Sequence, residues 1–189
     1  MEATVTGVQK LLEIPPASAI ALEMAAEHYF DAVRGILDVF APQKNLDAVY
    51  ITATIPSKSI IGALTTLEVD LTRTRFVDCV SRMTMGASER DDRAVYVESP
   101  TMLETVLLKV EFLLRKLGGE EAVVVLDSIN SLAIHNSPRV LSEFLHMLTN
   151  HLRTRGAYTF IFSMEEYASE ETANILNLVA DDVIHFEGP

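Results

Sequence analysis

The chain has 189 residues, of which 49% are hydrophobic and 22% are charged, and its formal net charge is −12. This composition excludes a disordered polypeptide, and the acidic excess argues against nucleic acid as a partner, because phosphate backbones are bound by clustered Lys and Arg. The sequence shows no signal-peptide pattern and no apolar run approaching the ~18 residues of a membrane span. Cys79 has no second cysteine with which to form a disulfide. These features predict a cytoplasmic protein without a membrane span.

The first half of the chain alternates short apolar runs with longer runs of helical period. Strands are predicted at 19–24 and 47–54, and helices at 28–40 and 57–69. Asp31 is expected to cap the first of these helices, and Pro42 is expected to lie beyond its end. Residues 1–18 are predicted to form a helical extension that packs either on the domain or on a partner.

The second half continues the alternation. The predicted elements are strands at 75–80 and 94–98, a loop at 81–93, a helix from Ser99 and Pro100 to Leu117, a strand at 122–127, a helix at 137–156, a strand at 157–163, a helix at 169–179 and a strand at 182–187. The run AVVVLD at 122–127 is typical of a strand that is buried on both faces. Strands alternating with helices predict one α/β domain over 1–189, with a mainly parallel twisted sheet and helices on both faces.

Five segments resemble the KaiC-like branch of the RecA-type ATPase family. They are VYITATIP (49–56), VYVESPTMLETVLLKVEFLLRKLG (95–118), VVVLDSINSLAIH (123–135), RTRGAYTFIFSMEE (153–166) and NLVADDVIHFE (177–187). The third resembles the Walker B strand of the family, which would place Asp127 and Ser128 at the position that holds the Mg²⁺ shell. The resemblance implies a three-layer RecA-like fold and an oligomer whose nucleotide sites lie between subunits.

The loop after the first strand should carry the phosphate-binding pattern G-x-x-x-x-G-K-[ST] in such a family. Its glycines let backbone N–H groups surround the phosphates, its Lys neutralises charge, and its hydroxyl holds Mg²⁺. Residues 24–31 read MAAEHYFD and contain no Gly, Lys, Ser or Thr. Losing about three charge-assisted hydrogen bonds, at ~1.5–3 kcal/mol each, would remove most of the ~8 kcal/mol of a micromolar ligand. A degenerate Walker A segment, without ATP or Mg²⁺ as cofactor, is therefore predicted.

The catalytic position is also altered. The resemblance places a Glu at the end of the second strand, where this chain has Thr54 and Ile55, and neither can act as a base near neutral pH. Asp127 would then be a vestigial Walker B residue, retained because a short polar side chain ends a buried strand and caps the next turn. His146 and His151 are five residues apart, which is not the i, i+4 spacing of a zinc pair, so no metal site is predicted.

Two functions are consistent with these features. The first is a non-catalytic RecA-like domain, a pseudo-ATPase that acts in regulation or assembly by binding a second copy of itself or a related RecA-type ATPase. The alternative is a nucleotide- or small-ligand-binding protein, or an ATPase, with a rebuilt site at the carboxyl edge of the sheet. The candidate residues for that crevice are His28, Tyr29, Thr54 and Ser163.

Overall fold

The computed structural model describes residues 2–84, 90–118 and 121–187, with side chains from Gly7 onward. It contains a sheet of seven parallel strands in the order β4-β3-β2-β5-β6-β1-β7. The strands are β1 Ala19–Met24, β2 Asp47–Thr52, β3 Thr74–Asp78, β4 Ala94–Tyr96, β5 Ala122–Asp127, β6 Tyr158–Met164 and β7 Asp182–Phe186. The predicted α/β class with a parallel sheet is confirmed.

Helices cover both faces of the sheet, as crossover connections between parallel strands require. The helices are α1 Glu2–Leu12, α2 Tyr29–Arg34 with its continuations Gly35–Phe40 and Ala41–Gln43, α3 Ser57–Thr66, α4 Ser81–Thr84, α5 Leu103–Leu117, α6 Ile129–His135, α7 Pro138–Thr154 and α8 Glu170–Val179. One apolar cluster contains α1, α2 and α3, and a second contains α5, α6, α7 and α8.

Strand β5 shows how the two clusters share one sheet. Its residues alternate, so that Val123 and Val125 face the first cluster while Val124 and Leu126 face the second. All six of its residues are buried, as the uninterrupted apolar run predicts. The same alternation directs Asp127, which ends the strand, toward the side of α2.

Helix α1 packs against α2 on the first face. Val8, Leu11 and Ile14 are buried in the first cluster. The approach is close at Gly35, where an added Cβ would lie 2.8 Å from Val8 Cγ2. The absence of a side chain at Gly35 therefore leaves room for the Val8 side chain against the backbone of α2.

Several helix boundaries differ from the predictions. His28 precedes α2 without a capping side chain, so the expectation that Asp31 caps it is wrong, and Asp31 lies in the first turn. Helix α5 begins at Leu103 rather than at Ser99 and Pro100, because the Ser99 hydroxyl accepts the N–H of Thr101 in a separate turn.

The helix after β1 extends past its predicted end. Residues Gly35–Phe40 form a π-helical turn, and Ala41–Gln43 continue the helix. Pro42 therefore lies inside the helix, directly after the widened turn. Proline lacks an N–H and clashes with the carbonyl four residues earlier in a regular helix, and a wider turn before it avoids that clash.

The loop predicted at 81–93 is described only in part. Its first residues form α4, and residues 85–89 lie outside the described ranges. The segment after β5, in which the sequence pattern predicts no element, forms α6.

Candidate functional site

Asp127 lies at the carboxyl edge of the sheet, where ligands of open α/β sheets bind. It pairs in register with Thr52 at the end of β2. Its side chain is completely buried, although it ends a strand. A buried carboxylate requires hydrogen-bond donors around it, and their identity defines the chemistry of this edge.

Three hydroxyl groups surround the Asp127 carboxylate. The Tyr29 and Tyr50 hydroxyls donate to its Oδ2 at 2.5 Å and 2.8 Å, and their own oxygens lie 3.0 Å apart. The Thr54 hydroxyl lies 3.0 Å from Oδ1 and donates to it. Both carboxylate oxygens are therefore hydrogen-bonded within the chain.

Each donor comes from a different element. Tyr29 opens α2 and reaches down from the helix after β1, Tyr50 points from the middle of β2 into the first cluster, and Thr54 follows β2. The rings of Tyr29 and Tyr50 both contact Phe162 of β6 edge to face. This aromatic packing fixes both phenols where their hydroxyls meet one carboxylate oxygen.

The electrostatics of the cluster favour donating phenols. Burial, followed by the neighbouring Asp127 carboxylate, raises the pKa of Tyr29 and of Tyr50 well above the usual range. Both phenols therefore remain protonated and act as donors. Burial also raises the pKa of Asp127, while the hydroxyl donors act in the opposite direction.

Ser128 follows Asp127 through a cis peptide bond and begins α6. Its hydroxyl accepts a hydrogen bond from the N–H of Ser131, so Ser128 is the N-cap of α6. The Ser131 hydroxyl in turn lies 2.9 Å from that of Thr54, so a row of hydroxyls borders the carboxylate. Thr54 is exposed and is the part of this row that solvent reaches.

The loop after β1 folds as a short 3₁₀ turn, Ala26–His28. The N–H of Ala26, which lies where a phosphate loop would offer backbone donors, donates instead to Oε1 of Glu166 at 2.8 Å. That hydrogen bond lowers the pKa of Glu166, so the group beside this backbone is an anion. Glu27 lies in the same turn, so the loop also carries a carboxylate of its own.

The other two candidate residues are not in the Asp127 cluster. His28 Nε2 lies 3.6 Å from Glu27, and its Nδ1 lies 3.8 Å from Asp31. Ser163 is buried in β6 opposite Glu23 of β1. The structure therefore brings Tyr29, Thr54 and Asp127 together and leaves His28 and Ser163 apart from them.

Three participating residues were not singled out from the sequence. They are Tyr50, which lies inside a predicted strand, and Ser131 and Glu166, which lie outside the predicted elements. The signal for Tyr50 is its register, because it shares a face of the sheet with Asp127 on the adjacent strand.

A second buried carboxylate, Asp78, ends β3. It accepts the N–H groups of Ser57, Val80 and Ser81 and the hydroxyl of Ser81. Burial opposes its ionised form, but these hydrogen bonds outweigh burial and lower its pKa. Asp78 thereby fixes the start of α3 beside the candidate site, which is a structural role.

Neither metal clusters nor spanning helices occur in the ranges that the structure describes. No group of three or more His, Cys, Asp or Glu side chains there has the placement to hold a metal ion. None of the helices described is long and apolar enough to cross a bilayer.

Comparison with solved structures identifies the fold. The chain is similar to the crystal structure of the KaiC-like protein PH0186 from the hyperthermophilic archaeon Pyrococcus horikoshii OT3, with a TM-score of 0.62 and 16% sequence identity. The match covers 91% of this chain and 72% of that protein. At this identity the match shows the fold alone, which is a RecA-like parallel α/β fold.

Comparison with family models identifies the family. Residues 31–186 match DUF7504, a family of unknown function. The match spans most of the chain, so the chain belongs to this family. No curated protein matches the sequence.

Proposed function

We propose that this chain is a non-catalytic RecA-like domain, a pseudo-ATPase that acts in regulation or assembly through protein–protein contacts. The observation that carries the proposal is the enclosed Asp127 carboxylate. Both of its oxygens accept hydroxyl hydrogen bonds, and the side chain is buried. A carboxylate that holds a magnesium shell needs an oxygen directed at the ion or its water.

The loop after β1 supports the proposal from the side of the phosphates. It has neither the glycines nor the lysine that phosphates require, and Glu166 already accepts the Ala26 N–H. A triphosphate there would approach Glu27, Asp31 and Glu166, whose like charges oppose it. The residues at this edge therefore do not fit a magnesium nucleotide held in the usual RecA-type manner.

The hydrolytic step has no base either. Thr54 and Ile55 follow β2, where the resemblance places the glutamate that orients the attacking water. The Thr54 hydroxyl is directed at Asp127, and Ile55 has no titratable group. In this proposal the RecA-like fold serves as a surface for a second copy of the chain or a related RecA-type ATPase.

Titration with ATP, ADP and GTP in the presence of Mg²⁺ tests the proposal. A ligand at a hundred times its Kd stabilises a protein by ~2.7 kcal/mol, which calorimetry and thermal melting both detect. We expect neither heat of binding nor a change in Tm, with an active RecA-type ATPase titrated in parallel as the positive control. Binding at micromolar concentrations would contradict the proposal.

The second candidate function is ligand binding at a rebuilt site on the same edge. The observation in its favour is the row of hydroxyls from Thr54, Ser128 and Ser131, of which Thr54 is exposed beside Asp127. If a nucleotide binds, Thr54→Val should weaken binding, whereas Thr66→Val, at an exposed site at the end of α3, should not. That pair of results would favour the rebuilt site.

A further inference from the structure

An exposed apolar stripe runs along α5, on the face opposite to α1–α3. Leu108 and Phe112 lie one helical turn apart, and 70% and 53% of their surfaces are exposed. The inner side of the same helix is buried in the second cluster through Val106, Val110 and Leu113. The helix is therefore apolar on two sides, and one of these sides has no partner within the described residues.

Helix α7 extends this apolar surface. A groove of about 400 Å³ runs between α5 and α7 and is lined by Glu104, Leu107, Leu108, Glu111, Met147 and His151. Met147 is 59% exposed at its margin. Contiguous exposed apolar surface of this kind, with a polar rim, marks an interaction site.

Hydrogen bonds of Glu111 link the two sides of the groove. Glu111 is hydrogen-bonded to Arg115 of its own helix, to His151 of α7 at 2.5 Å and to Arg155, which directly follows α7, at 2.7 Å. Burial alone would raise the pKa of Glu111, but the hydrogen bonds from these three side chains outweigh it and lower that pKa to about 2. The network links α5 to α7, so a partner meets a preformed surface rather than two independent helices.

The charges along α5 are arranged so that the helix complements itself when it is reversed. Glu104 lies at its amino end, and Arg115 and Lys116 lie at its carboxyl end, about equally far from the midpoint between Leu108 and Phe112. Glu104 and Lys116 form no ion pair with any other residue in the described ranges, and the Arg115 side chain is 74% exposed. An antiparallel copy would place each acidic end beside a basic end.

We propose that two copies of this chain associate through α5, antiparallel about a twofold axis near its midpoint, with the margin of α7 completing the interface. Phe112 of one protomer then lies beside Leu108 of its partner, and Glu104 lies beside Arg115 and Lys116 of its partner. A twofold interface of this type is self-complementary, because the same patch serves both protomers. The inference rests on the proposed function, for which it names the partner and the surface.

The first test is the oligomeric state of the full chain, measured by sedimentation at several protein concentrations. We expect a dimer, and Leu108→Asp should raise its dissociation constant about tenfold or more. Leu178→Asp is the matched control, because Leu178 on α8 is also 68% exposed and lies beyond α7 from α5. A monomer throughout, or equal weakening by both variants, would overturn the proposal.

Charge reversal tests the antiparallel arrangement. Glu104→Lys should weaken the dimer, because like charges then meet at both ends, and adding Lys116→Glu should restore it without disturbing the Glu111–Arg115 pair. Circular dichroism and thermal melting establish that each variant is folded. A failure of the Glu104→Lys, Lys116→Glu double variant to dimerise while folded would contradict the antiparallel pairing.

The two proposals can fail separately. If the chain is a monomer and does not bind Mg²⁺-nucleotides, the dimer proposal is wrong, and the partner of the non-catalytic domain is a different protein. A dimer that binds nucleotide overturns the non-catalytic assignment and leaves the α5 interface intact.

Discussion

At the scale of single residues, the candidate site depends on one carboxylate and its three hydroxyl donors. Tyr50 is the deepest of these donors, since its side chain is fully buried and its hydroxyl reaches Asp127 Oδ2. A hydrogen bond to a buried charged group contributes more than one between neutral groups, because water cannot replace it. The stability of the carboxyl edge should therefore respond to the loss of a single oxygen atom.

Tyr50→Phe removes that oxygen and leaves the ring contacts with Phe76 and Phe162 in place. We expect the free energy of unfolding to fall by about 1–3 kcal/mol in urea denaturation. Tyr158→Phe is the control, because Tyr158 is also buried but its hydroxyl bonds no described residue. Equal small losses for the two variants would show that the Tyr50 hydroxyl is dispensable.

The sequence identified part of this cluster and missed the rest for a physical reason. Tyr29, Thr54 and Asp127 lie at the end of a strand, just beyond one, or at the start of a helix, and parallel topology brings such positions to one edge of the sheet. Tyr50 lies inside a strand, where an aromatic residue normally indicates core packing. Only the register between β2 and β5 reveals that its hydroxyl meets Asp127.

At the scale of elements, the spacing of hydrophobic residues along the chain predicted the long helices and strands well and the short ones poorly. The helix predicted at 137–156 is α7, which begins at Pro138 after the N-cap Ser137, because a proline in the first turn defines the helix start well. Helix α6 was missed, because seven residues after a strand carry too little period to separate a helix from a loop.

Two glycines should respond to alanine in opposite directions. Gly62 lies inside α3 with nothing near its missing Cβ, so Gly62→Ala should stabilise the protein by about 0.5–1 kcal/mol. Gly156 follows α7 at φ +73°, a conformation in which an L side chain is strained, so Gly156→Ala should destabilise it by about 1 kcal/mol. Urea denaturation of both variants measures the difference, and shifts of the same sign would contradict the assignment of Gly156 to the left-handed region.

At the scale of the whole molecule, the alternation of strands and helices predicted the parallel sheet but not its strand order. In the sheet β5 and β6 lie between β2 and β1, so the first two strands of the chain are not neighbours. Pattern within a strand carries no information on which strand lies beside it. The parallel direction of the strands nevertheless follows from the connections, because each helical crossover carries the chain back to the edge of the sheet where the strands begin.

The molecule has a formal net charge of −12, and ion pairs between its side chains do not change this total. Mutual repulsion among acidic side chains opposes the compact state, and dissolved salt screens it. We therefore expect Tm at neutral pH to rise by about 2–4 °C between low and physiological ionic strength, the change that ~1 kcal/mol produces in a chain of this length. The rise should shrink near pH 5, where acidic side chains begin to bind protons.

Exposed ion pairs such as Arg153–Asp181 act in the opposite direction, since salt weakens them. A fall in Tm with added salt at neutral pH, measured at one protein concentration, would show that such pairs outweigh the repulsion.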